Sequence, residues 1–400
     1  MVTQNRWLLP EGIEEILPPQ AYRMELLCRR VLDLYRGWGY ELVMPPLMEF
    51  LESLLTGTGE DLDLQTFKLI DQLSGRLLGI RADTTPQVAR IDAHNLKRAV
   101  PTRLCYLGTV LHARPESSGG TRCPLQVGVE LYGHQGVESD AEVLTLMLET
   151  LDVAGIERIH VDIGHVGVYQ GIMRQAGLTE TQESELFDVL QRKASSELKS
   201  LIKSWAMPEK TGGMLEYLIS ANGDASVLKE AQRALAPAGP VVKRCLSDLQ
   251  NVAGLAQKRR PGTMLYFDLA ELRGYHYHTG IVFAAYVPGS GQGIAFGGRY
   301  DDIGSAFGRS RSATGFSTDI KVLHTLSSLP LQEQRGIFAP ATDDQELMKC
   351  IKHLRQKGEI VIRELPGQKG TAKAMGCDRR LVCKQGRWQV EKIRKPVSRI

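Results

Sequence analysis

The sequence lacks the features of exported and membrane-spanning proteins. No apolar stretch approaches the roughly 20 residues that a membrane-spanning helix needs. The first residues, "MVTQNRWLLPEG", contain no basic segment followed by an apolar run. The 7 cysteines are odd in number and scattered, and no Cys-x-x-Cys pair has the spacing of a zinc or redox site. We therefore expect a cytoplasmic protein with reduced thiols.

An excess of one charge is also missing. Lys and Arg total 49 against 46 Asp and Glu, a net charge of +3, and no long basic block occurs outside the C-terminal tail. The overall charge therefore gives no argument for nucleic acid as a partner. With 400 residues, of which 42% are apolar, the chain is long enough for two or three folded domains.

The order of the predicted elements favours an α+β fold. Strand-like runs follow one another with hairpin turns, as in "TFKLIDQLSGRLLGI", which predicts an antiparallel sheet flanked by helices. Helical patterns rich in Leu, Lys and Glu predict an insertion at about 165–260, and a closing helix is predicted at about 314–327. We expect a core at 1–325 and a small α/β domain with a basic tail at 333–400.

The stretch "RADTTPQ", residues 81–87, places a carboxylate and two hydroxyls at a junction between a strand and a helix. Asp83 and Thr85 could receive an ammonium group there, while the start of the helix favours a nearby anion. An ordinary junction, in which Thr84 or Thr85 caps the helix, accounts for the same residues. Spacing alone leaves both interpretations open.

The stretch "LQVGVELYG" places Gln126, Gly128 and Glu130 on one face of a strand, because side chains alternate with a period of two. A glycine on this polar face leaves a gap, which could make room for a ligand between Gln126 and Glu130. An exposed sheet face is the alternative interpretation.

Two further stretches contain polar residues next to apolar strands. In "LRGYHYHTG", Arg273 could clamp a carboxylate through two parallel hydrogen bonds. His276 and His278 share a face if the segment is extended, but no third ligand has a recognisable spacing, so we expect no metal. "FGGRYDDIG" has neither the P-loop nor the dinucleotide fingerprint, and turn chemistry explains its glycines equally well. We therefore expect no cofactor.

Taken in order, these stretches resemble the catalytic core of histidyl-tRNA synthetase, a class II aminoacyl-tRNA synthetase, from about residue 7 to 325. The resemblance rests on "LPEGIEEILPPQA", the strand at Pro46 with Glu49, "RADTTPQ", "YLGTVLHARP" with "QVGVELYGH", "LRGYHYHTGIVF", and "FGGRYDDIG" with "GFSTDI". It implies a class II synthetase-like sheet, mostly antiparallel, and a homodimer formed through the first motif.

The resemblance also implies a pocket for histidine. The matching residues are Asp83, Thr85, Gln126, Glu130, Arg273, Tyr277 and His278. The first three match groups that hold the α-amino group, although Asp83 replaces a glutamate of the family. Glu130 matches the partner of the imidazole, and Arg273 matches an arginine near the carboxyl group. His278 stands where the synthetase has a tyrosine.

Two arginines that hold ATP in class II synthetases are missing. The Phe-Arg-x-Glu pattern is replaced by "VLHARP", with His112 near the arginine position and no glutamate. The Gly-Leu-Glu-Arg pattern is replaced by "TDIKV", with Val322 at the arginine position. Lys321 cannot take its place, because adjacent helix residues point about 100° apart. We therefore expect no synthetase activity, and the short C-terminal unit leads us to expect no tRNA binding.

A synthetase-like core with an amino-acid pocket and a dismantled ATP site is similar to the regulatory subunits of ATP phosphoribosyltransferase. "RADTTPQVARIDAH" and "ELRGYHYHTGIVFAAY" are closer to that family. The resemblance implies a non-catalytic subunit of a hetero-oligomer, whose partner is a short-form catalytic subunit that joins ATP to phosphoribosyl pyrophosphate. The regulatory subunit is required for that activity and for feedback inhibition by histidine, bound in the inherited pocket or at the subunit interface. The alternatives are an active histidyl-tRNA synthetase and a stand-alone histidine-binding sensor.

Overall fold

A computed structural model describes residues 7–57, 60–115, 120–272, 274, 277–329 and 335–393. The chain divides into two units, Met1–Leu329 and Pro330–Ile400, and each contains its own apolar core. The first unit contains a nine-stranded sheet and a three-stranded sheet, and the second contains a four-stranded sheet. Helices flank these sheets, so the predicted α+β class is confirmed.

The strands are β1 (Glu41–Leu42), β2 (Met48–Phe50), β3 (Phe67–Ile70), β4 (Leu77–Ile80), β5 (Thr102–Thr109), β6 (Leu125–Tyr132), β7 (His160–His165), β8 (Asn222–Gly223), β9 (Met264–Asp268), β10 (Ile281–Tyr286), β11 (Ala295–Arg299), β12 (Ala313–Asp319), β13 (Gly336–Ala339), β14 (Val361–Arg363), β15 (Cys377–Lys384) and β16 (Arg387–Lys392).

The α-helices are α1 (Gln20–Gly37), α2 (Leu51–Leu54), α3 (Glu60–Gln65), α4 (Thr85–Arg90), α5 (Val137–Val153), α6 (Val166–Ala176), α7 (Glu180–Gln191), α8 (Ser195–Ser204), α9 (Glu209–Ser220), α10 (Ser226–Ala234), α11 (Gly239–Arg259), α12 (Ile303–Ala306), α13 (Ile320–Leu326) and α14 (Gln345–Gln356). A π-helix, Ile91–Leu96, continues α4, and a 3-10 helix, Ala236–Ala238, precedes α11. Among the helices described, none has the length and apolar character needed to cross a membrane.

The nine-stranded sheet has the order β1-β5-β6-β12-β11-β10-β7-β9-β8. Its pairs are antiparallel except β1 with β5 and β7 with β9. Val127 and Val129 of β6 point into the main core, where they join residues of α5 such as Leu144. Because side chains alternate along a strand, Gln126 and Glu130 point to the opposite face, where the candidate site lies.

The centre of this sheet differs from the sequence prediction. The helix predicted at about 314–327 is wrong in its first half, because β12 occupies that segment between β6 and β11, and α13 begins at Ile320. Both faces of β12 are buried: Phe316 lies in the main core, and Gly315 lies against Glu130. A strand without a solvent-exposed face shows no alternation of polar and apolar residues, so the periodicity of the sequence does not identify it.

Six helices, α6 to α11, occupy the chain between the parallel strands β7 and β9. Parallel strands need a long crossover connection, and here the helices supply it. The helices do not form a separate core. Tyr169 of α6, Leu215 of α9 and Leu249 of α11 belong to the same buried cluster as Phe283 of β10.

The three-stranded sheet, with the order β2-β4-β3, has two different faces. Gly79 of β4 lies against α2, and a Cβ there would be 2.7 Å from Leu54 Cδ2. The other face, which we call the apolar sheet face, consists of partly exposed side chains: Met48, Phe50, Phe67, Leu69, Leu78 and Ile80. Directly opposed residues lie on the same face, so these six side chains form one continuous surface.

Gly128 of β6 is a position with no room for a side chain. A Cβ there would lie 2.4 Å from the Tyr106 hydroxyl and 2.6 Å from the Phe316 carbonyl oxygen. We expect Gly128→Ala to lower the free energy of unfolding by about 1–3 kcal/mol, because an added methyl group in a filled core forces its neighbours apart. Urea unfolding monitored by circular dichroism measures this loss.

The matched control for this variant is Gly213→Ala in α9. No atom lies within 4 Å of the Cβ position of Gly213. Alanine is a better helix former than glycine by roughly 0.5–1 kcal/mol, so this variant should be slightly more stable than the wild type. If Gly128→Ala unfolds at the same urea concentration as the wild type, β5 is not packed closely against β6 at this position.

Candidate functional site

A cavity of about 400 Å³ lies between the end of β4, β6, β12 and the turn that joins β10 to β11. Asp83 and Gln126, two of the predicted pocket residues, line it. Both predicted ATP-site positions, His112 and Val322, line it as well. Thr85 and the remaining described pocket residues lie behind this wall, so the structure separates the predicted site into a lined cavity and a buried polar cluster.

The side-chain amide of Gln126 orients Asp83. Gln126 Nε2 donates to Asp83 Oδ1 (2.8 Å), and Gln126 Oε1 accepts from the backbone N–H of Thr84 (3.0 Å). The backbone N–H of Thr85 also donates to Asp83 Oδ1 (3.2 Å). The carboxylate is therefore held at the cavity wall as a fixed negative charge, which suits a cationic ligand group.

The threonines at the start of α4 do not act as ordinary helix caps. Thr84 occupies the N-cap position but makes no side-chain cap hydrogen bond. Thr85 Oγ1 instead donates to Glu130 Oε1 (3.0 Å). The structure thus connects "RADTTPQ" to Glu130 of β6, in place of the simple junction that the sequence also allowed.

Glu130 is a buried carboxyl group surrounded by hydroxyls, with only 1% of its surface exposed. Besides Thr85, Tyr106 donates to Oε1 (3.2 Å), and Tyr300 donates to Oε2. Burial raises the pKa of Glu130 to about 8, and the nearby carboxylate of Asp83 also raises it. Glu130 therefore keeps its proton at neutral pH when no cation is nearby. The alternative of an exposed sheet face is wrong for this residue.

Tyr106 and Tyr300 are site residues that the sequence reasoning missed. Tyr106 lies directly opposite Gly128 in the register of β5 and β6, and its ring fills the gap that the sequence suggested for a ligand. Tyr300 immediately follows β11 and is buried. The pairing of a large ring with a glycine follows from the register between the two strands, and the sequence alone does not give that register.

Tyr277 and His278 lie beside this cluster. Tyr277 stacks on Tyr300 with ring centroids 5.0 Å apart, and its buried hydroxyl has no hydrogen-bond partner among the described residues. His278 Nδ1 donates to the carbonyl oxygen of Arg299 (3.2 Å), and burial lowers the pKa of His278 to about 4. His278 is therefore a neutral ring that supports Tyr277. Arg273 lies outside the described residues.

The two predicted ATP-site positions bring no fixed cation into the cavity. His112 is buried, and its Nε2 lies 2.9 Å from the carbonyl oxygen of Ala82. Val322 presents an apolar side chain to the cavity. The neighbouring Lys321 pairs with Glu14 (3.0 Å) and does not line the cavity.

The described wall of the cavity is acidic. It includes Asp83 and Asp319 but, within the described ranges, no Lys or Arg. Asp319 accepts hydrogen bonds from the backbone N–H groups of Leu125 (3.0 Å) and Lys321 (2.9 Å). No group of three or more His, Cys, Asp or Glu in the described part of the chain is arranged to hold a metal ion. The cavity therefore suits a small cationic molecule.

The raised pKa of Glu130 predicts a pH dependence of stability. In the unfolded chain this carboxyl ionises near pH 4.5, whereas the folded protein retains the proton up to about pH 8. The stabilising contribution of protonated Glu130 to the free energy of unfolding is fully present below pH 4.5 and is lost as the pH rises to about 8. Relative to Glu130→Gln, the wild type should lose about 1.4 kcal/mol of unfolding free energy per pH unit in this window. Urea unfolding of both proteins between the two pH values measures the difference.

Glu216→Gln is the matched control, because Glu216 lies exposed on α9. Its unfolding free energy should follow that of the wild type across the same range. A constant difference between wild type and Glu130→Gln would show that Glu130 is ionised in the folded protein throughout.

Comparisons with known proteins identify the family. The family model described as histidyl-tRNA synthetase matches residues 12–323, and that described as ATP phosphoribosyltransferase subunit HisZ C-terminal domain matches residues 334–391. A protein of Thioalkalivibrio sulfidiphilus named ATP phosphoribosyltransferase regulatory subunit is 60% identical over 380 residues, which cover 95% of this chain and 96% of that protein. One of the same name from Ectopseudomonas mendocina is 54% identical over 392 residues, 98% of this chain and 99% of that protein.

A solved structure gives the same family. The crystal structure described as an ATP phosphoribosyltransferase regulatory subunit/histidyl-tRNA synthetase from Bacillus halodurans matches with a TM-score of 0.81 and 29% identity. The match covers 92% of this chain and 96% of that one. The chain therefore belongs to the family of ATP phosphoribosyltransferase regulatory subunits, with a core of the histidyl-tRNA synthetase fold.

Proposed function

We propose that this chain is the non-catalytic, histidine-sensing subunit of ATP phosphoribosyltransferase. In this role it is required for the activity of a short-form catalytic subunit and for feedback inhibition by histidine, in the first step of histidine biosynthesis. The charge of the cavity carries the proposal: its described wall contains Asp83 and Asp319 and no Lys or Arg. Such a wall attracts an ammonium group and repels phosphates. A complex that consumes ATP and phosphoribosyl pyrophosphate works in the cytoplasm.

Histidine matches the site at its amino end. Asp83 Oδ1 is held by Gln126 and Thr85, whereas Oδ2 makes no hydrogen bond to another described residue. Oδ2 is therefore available to the α-amino group, in a charge-assisted hydrogen bond. Arg273 is proposed to hold the carboxyl group, as the sequence predicts.

At its imidazole end, histidine would have to enter the buried cluster behind the cavity wall, where Glu130 is only 1% exposed. The Glu130 carboxyl accepts three hydrogen bonds, from Thr85, Tyr106 and Tyr300, and a carboxylate has room for about four. The buried hydroxyl of Tyr277 offers a second partner for the ring. An imidazolium beside Glu130 would favour the ionised carboxylate, so the ligand would reverse the rise in the pKa of Glu130.

The same wall argues against an active histidyl-tRNA synthetase. Adenylate formation needs cations on the ATP phosphates. A hydrogen bond from such a cation is worth roughly 1.5–3 kcal/mol, and preorganised charge contributes about 100- to 1,000-fold in rate. The apolar Val322 and the buried His112 do not replace these arginines, so we expect no histidine-dependent exchange of pyrophosphate into ATP. The match of residues 334–391 to the regulatory subunit's own C-terminal domain supports the expectation that tRNA is not a ligand.

Feedback inhibition requires histidine to bind one state of the complex more tightly than another. A stand-alone histidine sensor would bind the same ligand without altering any phosphoribosyltransferase. A regulatory subunit therefore changes the rate of a catalytic subunit, whereas a stand-alone sensor does not. Both would bind histidine.

Reconstitution with a short-form catalytic subunit from the same genome tests the proposal. We expect phosphoribosyl-ATP formation to rise strongly when this protein is added, and histidine to suppress the stimulated rate, because inhibition acts through the regulatory subunit. A spectrophotometric assay of phosphoribosyl-ATP across a histidine titration measures both effects. A rate that this protein leaves unchanged would refute the regulatory role, and pyrophosphate exchange would then test the synthetase alternative.

The apolar sheet face supports a homodimer within the hetero-oligomer. Met48 and Leu69 on this face are 48% and 37% exposed, and nearby Met44 and Leu47 are 82% and 46% exposed. Contiguous exposed apolar surface of this kind is typical of protein–protein contacts. The segment from Met44 to Met48 includes Pro46, whose strand is part of the resemblance, and the resemblance implies a homodimer.

A charge in the middle of this face should therefore prevent self-association. We expect the double variant Met48→Asp with Leu69→Asp to sediment as a monomer at concentrations where the wild type is a dimer, because the carboxylates would have to be desolvated in the contact. Val241→Asp on α11, where Val241 is 48% exposed, is the matched control and should remain a dimer. A dimeric double variant would exclude this face as the contact.

A further inference from the structure

The segment at residues 81–90 contains ligand-site groups with structural anchors on both sides of them. Asp83 lines the cavity, and Thr85 binds Glu130. Arg81, Gln87 and Arg90, in contrast, all make contacts in the direction of β2 or the chain just before it. One residue separates Arg81 from Asp83, and one separates Thr85 from Gln87. A shift of the anchors therefore moves the ligand-site groups.

Gln87 and Arg90 bind the same carboxylate. Gln87 Nε2 donates to the carbonyl oxygen of Pro46 (2.9 Å) and to Glu49 Oε1 (2.8 Å). Both partners are acceptors, so the orientation of the amide is determined. Arg90 Nη2 donates to the same Glu49 oxygen (2.5 Å). Gln87 is fully buried, so these bonds are protected from water.

Arg81 fixes the same stretch from its other end. Its backbone N–H donates to the carbonyl oxygen of Leu47 (3.0 Å), and its Nη1 donates to that of Pro45 (2.9 Å). The Arg81 side chain is itself held by the carbonyl oxygen of Thr109 (2.9 Å) and lies against Gly108, where a Cβ would be 2.3 Å from Nη2. Residues 45–49 are therefore attached to the 81–90 segment at both ends.

Residues 45–49 adjoin the apolar sheet face. Met48 belongs to that face, and Leu47 beside it is exposed. The 81–90 segment thus connects the cavity to the surface proposed for self-association.

The junction also contains two buried polar groups that are unpaired within the described ranges of the chain. Gln87 Oε1 and Arg90 Nε are buried and have no hydrogen-bond partner among the described residues. Buried polar groups are nearly always paired in folded proteins. Unused groups at this point indicate a junction whose hydrogen bonding is completed in another state, such as the ligand-bound or assembled form.

We propose that ligand binding in the cavity and self-association through the apolar sheet face are coupled, with Gln87 and Arg90 as the positioning residues that couple them. This inference rests on the proposed function, which supplies histidine as the ligand and the homodimer as the assembly. Histidine fixes Asp83 and Thr85, and the anchors then hold residues 45–49 in the geometry that pairs with a second copy. Coupling is reciprocal, so the dimer binds histidine more tightly than the monomer by the same factor.

Dimer dissociation of the full chain, with and without saturating L-histidine, tests the coupling. Mass photometry over a dilution series gives the dissociation constant for the wild type, Gln87→Leu and Arg90→Ala. The matched control is Arg98→Ala, because Arg98 also binds a carboxylate, that of Glu41 in β1, but lies outside the 81–90 segment. We expect histidine to lower the constant about fivefold or more in wild type and control, and less than about twofold in both variants.

Calorimetric titration of histidine into each protein separates this inference from the proposed function. If histidine binds the wild type but leaves its dimer constant unchanged, the coupling is wrong and the histidine-sensing role stands. A full histidine effect in both variants would exclude Gln87 and Arg90 as the link. If histidine does not bind the wild-type chain, the coupling and the assignment of histidine to this cavity are both wrong, whereas the reconstituted assay decides the regulatory role.

A folding check, a conservative variant and a second readout of self-association complete this test. The Arg90 side chain is 25% exposed, so Arg90→Ala should fold even if thermal unfolding shows that Gln87→Leu does not. Arg90→Lys retains the cation beside Glu49 and should restore part of the histidine effect. If the dimer does not dissociate on dilution, the rate of subunit exchange is measured by fluorescence instead. Histidine should slow this exchange in the wild type but not in Gln87→Leu or Arg90→Ala.

Discussion

The buried carboxyl of Glu130 is the constraint around which the site is built. Removing such a group from water costs several kcal/mol unless hydrogen bonds replace those it loses. The donors come from three parts of the chain: Thr85 of α4, Tyr106 of β5 and Tyr300 after β11. The adjacent strand must also leave room, since a Cβ at Gly315 would lie 1.6 Å from Glu130 Oε2. These separate elements are thereby held together around one carboxyl, before any ligand binds.

The cavity next to this cluster has an acidic wall among its described residues, which favours the proposed amino-acid ligand over a nucleotide. Asp83, oriented by Gln126, lines this wall, and so do His112 and Val322, which the sequence predicts to stand at the positions of the ATP-binding arginines of class II synthetases. The proposed sensing role needs affinity for histidine and a difference in that affinity between two states, and neither requires an ATP-binding arginine.

Much of the site could be predicted because it follows from local patterns. Alternation along β6 correctly placed Gln126 and Glu130 on one face, and the hairpin of β3 and β4 was evident from its turn. The gap at Gly128 was misread, since its occupant, Tyr106, depends on cross-strand register. The strand β12 was predicted as a helix because both its faces are buried. The position of Arg273 stays a prediction.

Calorimetry of the purified chain decides whether the cavity binds histidine, as proposed, or ATP. L-histidine should bind with one site per chain, and Mg-ATP should give no binding heat with or without histidine. Asp83→Asn should weaken histidine binding roughly tenfold or more, because a charged hydrogen bond of about 1.5–3 kcal/mol is lost. Binding of Mg-ATP that strengthens with histidine, or unchanged histidine affinity in Asp83→Asn, would show that the cavity is not the proposed histidine site.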